Sequence, residues 1–209
     1  MQEQSSELLR RWFELVPKIQ AATVVEQRQM RQRQLMDAAL SLALEGGVDA
    51  ITVSAVAKRA ELSRSLIYEY FSSSADLVAD LVVEEMAHYN SRLLIAVGNV
   101  EEPYEYIELW IAEALQYIID GRHMLVKSLN IANTPSYRKS DIAQGHKNLM
   151  ATIIKPLEVI GLSDLGMALA YLQNTIEAAA VRIESGNEAT LEIASAQKYA
   201  IAGLRALVQ

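Results

Sequence analysis

The chain has 209 residues, a formal charge of −7 and no cysteine, which excludes disulfide staples, thiolate metal sites and cysteine nucleophiles, and its length suits one large domain or a small one joined to a larger one. Its longest uncharged run, Leu165 to Ile176, has twelve residues, short of the roughly 20 that a membrane helix needs. The N-terminal MQEQSSELLRRWF carries acids and arginines where a signal peptide would need an apolar run, so a cytoplasmic protein with no membrane segment is expected.

With four prolines and nine glycines, and aliphatic residues recurring at spacings of three and four, the economical fold class is all-α. Leu8, Trp12, Leu15 and Ile19 stripe an N-terminal helix that Pro17 kinks or ends. The next helix is predicted over 28–45, with Leu35, Ala38, Ala39 and Leu42 inward and Gly46-Gly47 as its stop. Thr52 then caps a short helix, 53–60, and Ser63 caps another that carries Ile67 and Phe71 on one face. Ser72-Ser73-Ser74 breaks that helix and opens a long one reaching about Ala96.

Five further helical segments are predicted. Pro103 suits the first position of a helix ending near Gly121. A second covers 122–133, and a third runs from Pro135 to Ile160 with a distortion at Pro156. Ser163 and Asp164 open an amphipathic helix with Leu165, Leu169, Leu172, Ile176 and Ile183. The last, from Asn187, carries Ile193, Ala196, Ala200, Leu204 and Leu207 on one side.

The pair of short helices is where chemistry concentrates. Two such helices joined by about three residues form a helix-turn-helix, whose second helix can enter the major groove with its N-terminal residues against base edges. That helix offers Ser63, Arg64 and Ser65, then Tyr68 and Tyr70. An arginine fork matches guanine O6 and N7, while hydroxyls and the N–H groups of helix starts suit phosphate. Charge alone does not decide the matter. Residues 24–76 hold six basic and seven acidic side chains and residues 77–209 ten and sixteen, so on charge alone Lys58, Arg59 and Arg64 read as a solvated face. Tyr68 and Tyr70 also fit core-edge residues with wet hydroxyls.

The stretch Arg33 to Leu77, RQLMDAALSLALEGGVDAITVSAVAKRAELSRSLIYEYFSSSADL, resembles the DNA-binding domain of the TetR family of bacterial transcriptional regulators. It carries a helix ending at glycine, a Thr cap, an alanine-rich short helix, a turn and a Tyr-x-x-Phe segment leading into the next helix. The resemblance implies a three-helix reading domain (28–76) after an N-terminal extension (1–27) and before a larger helical domain (77–209) for ligand binding and dimerisation. It implies a homodimer on a palindromic DNA operator, probing phosphates with Thr52 and Ser54, bases with Arg64 and Ser65, and backbone with Tyr68 and Tyr70. A repressor released by a small hydrophobic effector is the implied function.

Two departures stand out. Glu61 occupies a turn position where members usually have glycine, and Ser74 one where they usually have a phosphate-binding lysine. Arg28, Arg31 and Arg33 are a candidate basic arm that compensates. The resemblance implies a dimer interface from the last two helices, bearing Leu165, Leu169, Leu172, Ile176, Ile193, Ala200 and Leu204; Ala178, Ala179, Ala180 and Gly203 would let helix axes approach closely. Tyr106, Trp110, Tyr117, Met124, Met150 and Tyr171, with Tyr104, either fill the interior or line an effector cavity. His88, His123 and His146 fall on three predicted helices, so no metal site and no cofactor is expected. Catalytic motifs are lacking, and the competing readings are a helical protein-interaction module, using the Trp12 stripe, and an enzyme without a recognisable motif.

Overall fold

A computed structural model describes residues 23–122 and 134–208. The expected N-terminal helix, the segment 123–133, His123 and Met124 lie outside the described residues. The helices are α1 (Val24–Gly46), α2 (Val53–Arg59), α3 (Arg64–Tyr68), α4 (Ser74–Val97), α5 (Pro103–Ile119), α6 (Lys139–Val159), α7 (Leu165–Glu184) and α8 (Ala189–Leu207), with 3-10 turns at Val48–Ala50 and Ser136–Arg138. Among the described residues no helix is long and apolar enough to cross a membrane.

The chain divides into two units, residues 1–34 and 35–209. In the first, α1 starts four residues before its expected position. The Thr23 hydroxyl accepts from Glu26 N–H at 3.2 Å and the Glu26 carboxylate accepts from Thr23 N–H at 2.6 Å. This reciprocal pair is a capping box that satisfies two otherwise orphaned donors. Residues 24–34 are exposed throughout.

Among the described residues the second unit holds two hydrophobic clusters. The smaller gathers Leu35, Ala39, Val56, Ala57, Ile67, Phe71 and Leu77 among others, and reaches along α4 to Leu81. The larger begins one residue later, at Val82. One continuous helix therefore carries side chains of both cores, past the boundary at residue 76 that the sequence suggests. Fully burying a side chain such as Ile67 or Phe71 contributes about 1.5–3 kcal/mol, which is how a five-residue helix too short to persist alone is held.

In the larger core, α5 packs against α4, α6, α7 and α8, and Ile107, Trp110, Ile111, Ala114, Leu115 and Tyr117 are buried along it. Pro156 lies inside α6 and has no N–H to offer the carbonyl four residues back, that of Thr152. The Tyr106 hydroxyl donates to that carbonyl at 2.8 Å, and Trp110 Nε1 donates to Thr152 Oγ1 at 2.8 Å. Tyr106 thus satisfies the carbonyl that proline leaves without a donor, while Trp110 holds the Thr152 side chain.

Candidate nucleic-acid interface

Local chemistry explains why α2 and α3 form at these positions. The Thr52 hydroxyl accepts from Ala55 N–H at 3.1 Å, and the Ser63 hydroxyl accepts from Leu66 N–H at 3.2 Å. Each cap satisfies a donor that its helix leaves unpaired. Between them, Leu62 N–H donates to Ala57 C=O at 2.9 Å and Glu61 N–H to Lys58 C=O at 3.3 Å. Those two bonds make a Schellman stop. Its left-handed residue is Glu61, at φ 55°, and among the described residues no other non-glycine has positive φ.

Along α3, Ile67 and Phe71 are fully buried, whereas Ser63, Arg64, Ser65 and Glu69 are exposed and Tyr68 retains 53% of its surface. Arg64 makes no hydrogen bond or ion pair to the described residues, and its side chain is exposed. Arg59 differs. It forms a two-pronged ion pair with Glu45, at 2.7 Å for each bond, and a further hydrogen bond to Ser41, so it fastens α2 to α1. Hydrogen bonding from Arg59 holds the Glu45 carboxyl below its ordinary range.

Thr52 and Ser54 are exposed at the start of α2, Tyr70 is half-buried beside the smaller core, and Ser74 is the first residue of α4. The Ser63 and Ser65 hydroxyls share a 2.9 Å hydrogen bond. Arg28, Arg31 and Arg33 are exposed on the part of α1 in the first unit, with Arg31 donating to Gln34 at 3.2 Å.

The residues considered for an effector cavity separate into two places. Tyr106, Trp110 and Met150 lie in or against the larger core, and Tyr117 is buried along α5. Tyr117 stacks on Tyr89 at 4.0 Å and donates to Glu85, a 3%-exposed carboxylate that also accepts two bonds from Arg122. Burial pushes both phenols up from their ordinary range, with nearby carboxylates adding to it. Tyr171 is elsewhere, exposed on α7.

It lines an apolar groove of about 830 Å³ between α7 and α8, together with Thr175, Ala178, Tyr199, Ala202 and Gly203. Of the residues expected at a dimer interface, Leu172, Ala200 and Leu204 also line it, but Leu165, Leu169, Ile176 and Ile193 do not; they pack within the subunit's own core. All seven residues of that stripe pack in or against the larger core, the three groove-lining ones included. The outward face is marked by Tyr199, 74% exposed, and by Gly203, where an added Cβ would meet open space.

A capped pair of short helices, the second presenting a cation and hydroxyls to solvent, attached to a larger helical body, defines a helix-turn-helix protein. Residues 35–81 match the profile described as bacterial regulatory proteins of the tetR family. The HTH-type transcriptional repressor KstR of Rhodococcus jostii is 32% identical over 83 residues, covering 40% of this chain and 38% of that protein. The fatty acid metabolism regulator protein of Bacillus subtilis is 23% identical over 134 residues, covering 62% and 69%. The alignments to the KstR proteins of Rhodococcus jostii and Mycolicibacterium smegmatis span 38% and 43% of those proteins' length. In three dimensions, the crystal structure of the transcriptional regulator FadR from Bacillus subtilis in complex with stearoyl-CoA superposes with a TM-score of 0.67 at 21% identity, covering 82% of this chain and 98% of that one.

Proposed function

We propose that the protein is a homodimeric transcriptional repressor that binds a palindromic DNA operator in the bacterial cytoplasm through α3 and leaves it when a small hydrophobic effector binds the larger helical body. The observation that carries the reading is the outward set Ser63, Arg64, Ser65 and Tyr68 on a helix whose other face is sealed by Ile67 and Phe71. Arg64 at the helix start suits guanine O6 and N7, while the hydroxyls, with Thr52, Ser54, Tyr70 and Ser74, suit backbone oxygens. The exposed arginines of α1 supply sequence-independent attraction to phosphate.

Two copies joined through the groove between α7 and α8 would bury Tyr171 and Tyr199 in a four-helix contact, with Ala178, Ala202 and Gly203 allowing close approach. Such a dimer must present its α3 helices about 34–36 Å apart to reach successive major grooves. An effector works by binding better to a conformation with a different spacing. FadR was crystallised with stearoyl-CoA, which makes a long-chain acyl-CoA the first effector class to test.

Selection of bound fragments from random duplex DNA, followed by fluorescence anisotropy at two salt concentrations, tests the reading. A palindromic consensus bound selectively and more weakly at high salt is the expected result. Salt-insensitive or absent binding would leave the interaction-module reading in its place.

A further inference from the structure

Reading helix α3 has five residues, and the chain leaves it through Phe71 and Ser72 to enter α4. That exit is held by a carboxylate of α4 and by residues of the 3-10 turn Ser136–Arg138. Ser72 donates both its N–H, at 2.9 Å, and its hydroxyl, at 3.1 Å, to Asp76 Oδ2. The other oxygen, Oδ1, accepts from Arg138 Nε at 3.0 Å. Arg138 also pairs with Asp80 at 2.6 Å and with Asp141 at 3.5 Å, and its guanidinium lies 5.7 Å from the Tyr137 ring centroid. The Tyr137 hydroxyl closes the loop with a 3.1 Å hydrogen bond to Ser72.

Asp76 is 5% exposed, a burial that only a well-compensated carboxylate tolerates. Its compensation comes from the residues whose placement it fixes: the Ser72 backbone on one oxygen, Arg138 on the other. The 3-10 turn Ser136–Arg138 leads directly into α6, and α6 is tied to α5 through Thr152. A continuous set of hydrogen bonds and helix α6 therefore joins the interior of the larger body to the residue that ends the reading segment. Any shift of the N-terminal end of α6 must either drag Ser72 or break the bonds to it.

We propose that Tyr137 and Arg138 are positioning residues for the reading helix: they clasp its exit through Ser72 and Asp76, so that the orientation of α3 depends on where α6 lies. This rests on the DNA-binding reading for its consequence, although the clasp itself can be tested without DNA.

The experiment is amide hydrogen exchange on the full chain, comparing wild type with Arg138→Gln, Arg138→Lys and the milder Tyr137→Phe. Loss of a charge-assisted hydrogen bond corresponds to about tenfold faster opening, expected in peptides spanning 62–77 for Arg138→Gln, with a smaller increase for Tyr137→Phe, partial rescue in Arg138→Lys and no change across 165–207. Unaltered exchange at 62–77, or acceleration spread evenly over the chain, would overturn the proposal. On the selected duplex, Arg138→Gln should lose about tenfold in specific affinity while binding to random duplex is retained; equal losses on both would also overturn it. If the wild-type chain selects no DNA, the operator reading fails and the exchange data alone decide the clasp.

Discussion

Replacing Glu61 with glycine should stabilise this protein, although it removes a side chain and lengthens nothing. Glu61 sits at φ 55° in the stop that ends α2, where a Cβ crowds the following carbonyl and costs about 1–2 kcal/mol. Glycine relieves that cost but loses about 0.4–1 kcal/mol more chain entropy on folding. The balance favours Glu61→Gly over Glu61→Ala by roughly 0.5–1 kcal/mol, because alanine keeps the Cβ while sharing the loss of charge. At this chain length that is about 1–4 °C in Tm. The comparison is best made by urea unfolding of wild type and both variants at one protomer concentration, since association shifts apparent stability. The same chain provides a precedent: the stop after α7 has the same two bonds, from Gly186 to Ile183 and Asn187 to Arg182, with Gly186 at φ 92°. Both variants delete a carboxylate beside the reading helix, so both should bind DNA more tightly at low salt, and that gain separates cleanly from stability. A Glu61→Gly protein no more stable than Glu61→Ala would refute the assignment of strain to this residue.

Tyr106→Phe should cost about 1–3 kcal/mol by leaving the Thr152 carbonyl without a donor; in a Pro156→Ala background, where the new N–H can fill that role, urea unfolding should find most of the cost gone. Arg64→Ala should reduce discrimination at one base pair of each half-site by about 1–3 kcal/mol, whereas Tyr68→Phe should weaken all duplexes alike, both read by competition anisotropy. At Asp76, burial alone would raise the carboxyl's pKa, but bonds from the Ser72 backbone, Arg138, Tyr137 and the Ser72 hydroxyl outweigh it and hold the value down. Its ionised form therefore adds stability above the unfolded value of about 3.9 and loses it on further acidification, so chemical unfolding between about pH 5 and pH 2 should be steeper in pH for wild type than for Asp76→Asn. Asp80 responds in the opposite sense, its pKa raised because burial exceeds the attraction of Arg138, and Asp80→Asn should cost less at neutral pH than Asp76→Asn, checked by the same unfolding series.

What could be read from the sequence was what is encoded over three or four residues. Thr52 and Ser63 each bond an amide three positions on, Asp164 does the same at the start of α7, and Ile67 and Phe71 share a face because a helix turns every 3.6 residues. The capping box at Thr23 and Glu26 is equally local, and the pattern TVVE signals it. Partners set by tertiary packing are of another kind. Nothing in a tyrosine at 106 announces a carbonyl at 152, nor in an arginine at 138 a carboxylate at 76, because these depend on helices that meet only after folding.

The last two helices make the distinction sharpest. An apolar stripe states that a face is covered, and it is silent on whether the cover is the same chain or another copy. Leu169 and Ile176 obey the period and pack in or against the subunit's own core, so the surface proposed for a second copy is drawn from residues that a stripe omits. Tyr199, Tyr171, Ala178 and Gly203 are such residues: two large rings among small neighbours, outside the periodic set and open to solvent. Deviation from the pattern, and not the pattern, is therefore the feature that points outward here. The same logic holds at α3, where Arg64 and Tyr68 depart from the face that Ile67 and Phe71 define.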